Sequence, residues 1–195
     1  MKSILKKIAS AMRPLLPVIF RIFFDKRYLI GRHFDPRFSG YLWAIQSIWR
    51  KSVLRMARPY PWPTTISCYI SNPENISFHP DDLNNFQSPG TYFQCFSGRI
   101  KIGRGTYIGP NVGIITANHK LDCLDEHEEG QDVVIGERCW IGMNAVLLPG
   151  VVLGPNTVVA AGSVVARSFP DGNLVVGGIP AKTIKSVKPQ ADNYA

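Results

Sequence analysis

The stretch CWIGMNAVLLPGVVLGPNTVVAAGSVV, residues 139–165, decides the fold. It places an aliphatic residue every six positions, at Ile141, Leu147, Leu153, Val159 and Val165. The register extends backwards to Ile135 and, beyond an interruption, to Ile114, Ile108 and Ile102. Glycine follows the aliphatic at 103, 109, 136, 142 and 154, with Leu148, Ala160 and Ala166 at the other comparable positions. Four residues after each aliphatic stands Thr106, Val112, Cys139, Ala145, Val151, Thr157 or Ser163, all small or modest in size. A period of six is neither the 3.6 of a helix nor the two of a half-buried strand. It fits short strands joined by corners, with the aliphatic inward and the small residue at a tight turn. Three such faces stack as a triangular coil, each turn burying its neighbours above and below. The predicted fold is therefore all-β, a parallel β-helix of hexapeptide repeats.

The rest of the chain is read outward from that scaffold. The chain has 195 residues, 45% of them hydrophobic, enough for one substantial domain plus an extension. The net charge of +8 is unevenly spread. Residues 1–60 hold 13 Lys/Arg against Asp25 and Asp35, whereas residues 61–195 hold nine basic against 12 acidic side chains. The repeat region is thus acidic, and no nucleic-acid partner is expected. The basic third instead points to an anionic surface. Within it, residues 2–24 place Ile4, Leu5, Ile8, Met12, Leu15 and Ile19 near helical spacing, among Lys2, Lys6, Lys7, Arg13 and Arg21. This predicts an interfacial helix kinked at Pro14 and Pro17, too interrupted to span a bilayer. The alternative is a helix packed on its own domain or on a neighbouring subunit. Tyr41, Trp43, Trp49, Tyr60 and Trp62 add dense aromatics, suited to a membrane interface or to a core. The expected organisation is a helical extension over 1–63, a coil domain over 64–186 and a short tail over 187–195.

The four cysteines, at 68, 95, 123 and 139, form no paired motif and no zinc spacing. With no cleavable leader evident, a cytoplasmic location is expected, peripheral to the inner membrane face if the extension binds lipid.

Residues 118–132, NHKLDCLDEHEEGQD, interrupt the repeat with an excursion holding six acids, and just before them the chain reads TANH (116–119). Loops projecting from a rigid scaffold commonly carry specificity. Imidazole, which titrates near 6.5 in water, can take up and release a proton near neutral pH. His119 is therefore the candidate general base. Asp122 is the nearest carboxylate that could orient it, with Asp81 and Asp82 as competitors. Cys139 is expected to pack, and His79 to be structural.

TANH, CWIGMNAVLLPGV (139–151), AAGSVV (160–165) and GGIPAKTI (178–184) together resemble the hexapeptide-repeat acyltransferases with a left-handed parallel β-helix. The similarity is to the branch of maltose, galactoside and polysaccharide O-acetyltransferases, and it covers about residues 66–186. That resemblance implies a homotrimer with acetyl-CoA between adjacent subunits, no metal, and His119 as the catalytic residue. It places Asn85, in NNFQ (84–87), near the acceptor hydroxyl; Asp82 and Asp122, taken from the residues themselves, are further acceptor-side candidates. It places Trp140, Met143, Ala161, Ala166 and Arg167 along the cofactor groove, and Lys182 and Lys185 at the CoA phosphates. One departure bears on the acceptor: the family's Asp in the strand after this segment is absent from TYFQCFSG (91–98). The expected substrate is a hydroxyl of a bacterial surface glycan or its lipid-linked precursor. The alternative acceptors are a free sugar, a serine-like amino acid or an antibiotic. A zinc enzyme of carbonic-anhydrase type and a non-catalytic coil are the remaining readings of the same scaffold. Residues 66–101 do not continue the hexad register, so irregular early coils are expected.

Overall fold

The computed structural model describes residues 15–35, 39–54, 56 and 58–188. The chain divides into two compact units, Met1–Ile66 and Ser67–Ala195.

In the second unit the hexads build a left-handed parallel β-helix. The first coil runs through β1 (Tyr69–Ile70), β2 (Ile76–Ser77) and a 3₁₀ segment, Pro80–Gln87, where a third strand would stand. The second coil is β3 (Tyr92–Gln94), β4 (Ile100–Ile102) and β5 (Tyr107–Ile108). The third is β6 (Gly113–Ile115), β7 (Val133–Ile135) and β8 (Trp140–Ile141), and the fourth β9 (Val146–Leu147), β10 (Val152–Leu153) and β11 (Val158–Val159). The fifth begins with β12 (Val164–Val165) and closes with β13 (Leu174–Gly178), against which β14 (Ala181–Ser186) folds back antiparallel. The strands stack into a first face β1-β3-β6-β9-β12, a second face β2-β4-β7-β10 and a third face β5-β8-β11-β13-β14.

Register follows the hexads. Ile70, Phe93, Ile114, Leu147 and Val165 align inward on the first face, and Ile108, Ile141, Val159 and Val176 on the third. All the hexad aliphatics are buried, as are Thr106, Val112, Cys139, Ala145, Val151, Thr157 and Ser163 at the corners. Glycine after the aliphatic lets successive coils touch: a Cβ on Gly142 would lie 2.6 Å from the amide nitrogen of Ala161. Burial raises the thiol pKa of Cys139, whose Sγ donates to the carbonyl of Gly154 at 3.3 Å.

A second six-residue register runs along the corners. Gly105, Asn111, Arg138, Asn144, Gly150, Asn156 and Gly162 all have positive φ. Glycine takes this conformation without cost and asparagine at little, whereas other L-residues lose about 1–2 kcal/mol. Arg138, at φ 55°, is the exception. Its Nε donates to Asn156 Oδ1 at 3.2 Å, and its ion pair with Glu137 is long, at 4.0 Å, and exposed on the carboxylate side. Relief of the backbone should outweigh these contacts. Arg138→Asn is expected to raise stability by about 0.5–1 kcal/mol, which for this chain length moves the melting temperature by about 2 °C. Calorimetry of the two proteins checks it, and a lower melting temperature would show that the guanidinium contacts dominate.

The regular elements described in the first unit are helical. Pro17 does not kink α1 (Leu16–Phe20); it sits in the first turn, where a missing amide proton costs nothing. Residues 2–14 of the expected interfacial helix lie outside the described residues. A 3₁₀ turn (Lys26–Tyr28) and α2 (Ser39–Ser47) follow, and α2 continues into a π-helical turn, Ile48–Val53. Phe20, Phe24, Phe34, Tyr41, Ala44, Tyr60 and Trp62 are buried. The Tyr41 ring meets Phe34 edge-on at 5.2 Å and Phe20 at 6.1 Å, and Tyr28 lies 4.8 Å from Trp62. Lys51 places its ammonium 4.4 Å from the centre of the Tyr60 ring. Most of the aromatic-rich segment therefore serves a core, and Trp49 does not.

Candidate active site

The interruption leaves the coil at the corner between the first and second faces, after β6, and returns at β7. Gln94, at the end of β3, fastens its base. Its Oε1 accepts from the amides of Thr116 and Ala117, both at 3.0 Å, and its Nε2 donates to the carbonyl of Ala117 at 2.9 Å. Thr116 Oγ1 donates to the carbonyl of Gln94 at 2.9 Å, and the amide of Gln131 closes on Thr116 at 2.7 Å. Sequence reasoning noticed this segment for the carboxylate it lacks. It missed that the glutamine there holds both backbone groups of the loop root.

Beyond the root the loop folds on itself. His119 and His127 pair as an antiparallel bridge, the amide of Glu128 donates to Asn118, and the amide of Lys120 donates to Glu126. Both histidines are exposed, their rings 4.1 Å apart between centres, and Phe96 meets His127 edge-on at 4.8 Å. His119 Nδ1 lies 2.7 Å from the carbonyl oxygen of Leu124. A carbonyl can only accept, so Nδ1 carries the proton and neutral imidazole presents its lone pair at Nε2. The ring is thus oriented by a backbone carbonyl and not by a carboxylate. Asp122 is exposed in the loop, Asp81 pairs with Arg104 at 3.0 Å, and Asp82 Oδ2 accepts from the amide of Gly105 at 2.9 Å. His79 Nδ1 accepts from the amide of Asp81, capping the 3₁₀ segment.

Asn85 is wholly buried. Its Nδ2 donates to the carbonyl of Thr106 at 2.9 Å, and its Oδ1 accepts from the amide of Ile108 at 2.8 Å. Ser88 Oγ donates to the carbonyl of Ile108 at 2.8 Å. The 3₁₀ segment supplies no strand to β5, so the side chains of Asp82, Asn85 and Ser88 satisfy that edge in place of a ladder.

The residues assigned to the cofactor groove fall into two groups. Trp140, 59% exposed, stands outward on the third face, in register with Tyr107 on one side and Val158, Val175 and Lys185 on the other. Met143 and Ala161 follow at the corner between the third and first faces, joined by the amide of Gly162 donating to Met143. Lys182 is exposed on β14, opposite Gly177. Ala166 and Arg167 lie after β12 at the corner between the first and second faces, with the guanidinium 5.2 Å from the Phe169 ring. That is the corner from which the His119 loop leaves, two coils earlier, an axial offset of about 10 Å. One chain therefore carries the His119 loop and the Trp140–Met143–Ala161 surface at different corners of the triangle. Among the described residues no three His, Cys, Asp or Glu side chains converge to hold a metal.

Residues 132–167 match the bacterial transferase hexapeptide family, six repeats. Over those residues the chain is similar to that family. It is 44% identical over 107 residues to a Saccharomyces cerevisiae protein provisionally named an acetyltransferase, covering 53% of this chain and 54% of that one. It is 40% identical over 98 residues to a protein of Escherichia coli provisionally named a lipopolysaccharide biosynthesis O-acetyltransferase, 44% of this chain and 50% of the relative. Among solved structures, a hexapeptide-repeat acetyltransferase of Vibrio cholerae complexed with acetyl-CoA is 39% identical, covers 47% of this chain and 51% of that one, and has a TM-score of 0.44. The chain spans about half the length of the curated relatives it matches. The similarity beyond the repeat is to the O-acetyltransferase branch of the family.

Proposed function

We propose that this protein is an acetyl-CoA-dependent O-acetyltransferase acting on a sugar hydroxyl, with His119 as general base. The observation that carries the reading is the ring itself: Nδ1 engaged by the Leu124 carbonyl, Nε2 holding the lone pair, and the whole loop anchored by Gln94 to a rigid coil. The acceptor hydroxyl gives its proton to Nε2 as its oxygen attacks the thioester carbonyl. The C–S bond then breaks, the imidazolium returns the proton to the departing thiolate, and the products are an acetyl ester and free CoA. Fixing both partners on the coil supplies the proximity that replaces a bimolecular encounter.

The site is completed by a second copy of the chain. The His119 loop and the Trp140–Met143–Ala161 surface occupy different corners, so a groove holding both needs adjacent subunits, as in the homotrimer the resemblance implies. Acetyl-CoA would lie along Trp140, Met143 and Ala161, with Ala166 and Arg167 near by and Lys182 and Lys185 as point charges for its phosphates. The acceptor class is a glycan of the cell surface or its lipid-linked precursor, in keeping with the similarity to the lipopolysaccharide-pathway relative. It would be met at the cytoplasmic side of the membrane.

Thiol release from acetyl-CoA, measured against free sugars, glycan fragments, lipid-linked saccharides and serine, tests this reading. Release that responds to a saccharide supports it and names the acceptor class. Release with serine alone would move the enzyme to the hydroxyl of a small amino acid. No CoA binding at all would leave a non-catalytic coil.

A further inference from the structure

The first unit carries apolar side chains on both sides of its helices. In α1 and the turn after it, Leu16, Phe20 and Phe24 are buried, four residues apart. Leu15, Val18, Ile19, Ile22 and Phe23 are exposed, spaced i, i+3, i+4, i+7 and i+8, with Ile22 at 78%. That is a second apolar stripe at helical spacing, running from the short helix into the turn after it. The same division recurs across α2 and its π-helical continuation. Tyr41, Ala44, Ser47 and Lys51 face in, whereas Leu42, Ile45, Trp49 and Val53 face out, with Trp49 at 57%. Ile30, Leu54 and Met56 are exposed as well. Single exposed apolar residues need no explanation, but two periodic stripes in one small unit do.

Charge selects the occupant. Exposed Arg21 interrupts the first stripe and exposed Arg50 the second, and Lys26 is exposed after the first. The first 60 residues hold 13 basic side chains and two acidic ones. Apolar stripes edged with cations, on helices too short to cross a bilayer, suit insertion at the boundary between headgroups and acyl chains. We infer that the two outward stripes, Leu15–Phe23 and Leu42–Val53, dock the protein on an anionic lipid surface. Each aliphatic enters the acyl boundary while Arg21, Lys26 and Arg50 remain at phosphate level. The docking is independent of the chemistry at His119, and it identifies the lipid-facing residues of an extension that sequence alone leaves ambiguous.

The test is co-sedimentation of the full chain with vesicles of phosphatidylcholine alone and of equal parts phosphatidylcholine and phosphatidylglycerol. Binding should be confined to the anionic vesicles, weaken as salt is raised, and shift Trp49 emission to the blue. The shift should disappear in Trp49→Phe. Ile22→Asp, at an exposed position, should weaken binding about tenfold or more. Arg21→Glu with Arg50→Glu should do the same while leaving both apolar stripes intact, which separates lost docking from lost folding. Equal binding to both vesicle types, or none to either, overturns the inference. Unchanged vesicle binding by Ile22→Asp, with a smaller assembly in solution, also overturns it and assigns the stripes to a second copy of this chain.

Discussion

His119→Ala is expected to lower the turnover of acetyl-CoA-dependent thiol release by about 10²–10⁴-fold, the usual contribution of a positioned general base. Affinity for CoA should stay unchanged, because the Trp140–Met143–Ala161 surface lies at a different corner and Ala166 and Arg167 stand two coils, about 10 Å, along the axis from the His119 loop. Stability should change little. The ring is exposed, its hydrogen bond among the described residues is to Leu124, and the loop root is held by Gln94 and Thr116 independently of the histidine. A fall in turnover without a fall in melting temperature or CoA affinity is therefore the signature to look for, read by steady-state kinetics and calorimetry on the same preparations. His127 makes the experiment sharper. Its ring lies 4.1 Å from that of His119, so it is the neighbouring base most able to substitute. Residual activity that survives in His119→Ala and vanishes on adding His127→Phe would identify it as the substitute. A single variant that keeps half the wild-type turnover would remove His119 from the chemistry.

The coil was legible because its period leaves a mark at every step. An aliphatic that must point inward and a corner that must be small recur at fixed intervals, and Ile102 to Val165 contains little else at those positions. The left-handed corner register was equally present as Gly and Asn every six residues, though Arg138 breaks the pattern and weakens the signal. The first coil was not legible for a physical reason. Its third face is a 3₁₀ segment whose side chains replace a strand's backbone, and Asp82, Asn85 and Ser88 satisfy β5 through polar bonds that leave no hydrophobic period. The site was half legible. The break in the repeat pointed to His119, but the group that sets its tautomer is the carbonyl of Leu124, and a backbone acceptor has no sequence signature. In the extension, charge asymmetry was visible. The two opposed apolar stripes were not, since a helix that is apolar on both sides reads as one hydrophobic run.

Asn85→Ala separates two readings of one residue. Contact with an acceptor hydroxyl predicts a raised KM in a protein of ordinary stability. The observed bonding predicts the reverse. Removing the amide leaves the carbonyl of Thr106 and the amide of Ile108 buried without their partner, at about 1–3 kcal/mol each, so a loss of about 2–6 kcal/mol is expected. For a chain of this length that lowers the melting temperature by about 4–24 °C. Below the transition, KM for whatever acceptor the enzyme uses should be within about twofold of wild type, since a wholly buried side chain held at both ends is out of reach of a ligand. Asn85→Asp refines the test. It keeps the oxygen that accepts from Ile108 but sets a buried carboxylate oxygen against the carbonyl of Thr106, so it should be at least as damaging as Asn85→Ala at neutral pH. A raised KM with an unchanged melting temperature in Asn85→Ala would return the residue to the acceptor site. It would also mean that the edge of β5 is closed in solution by something other than the 3₁₀ segment.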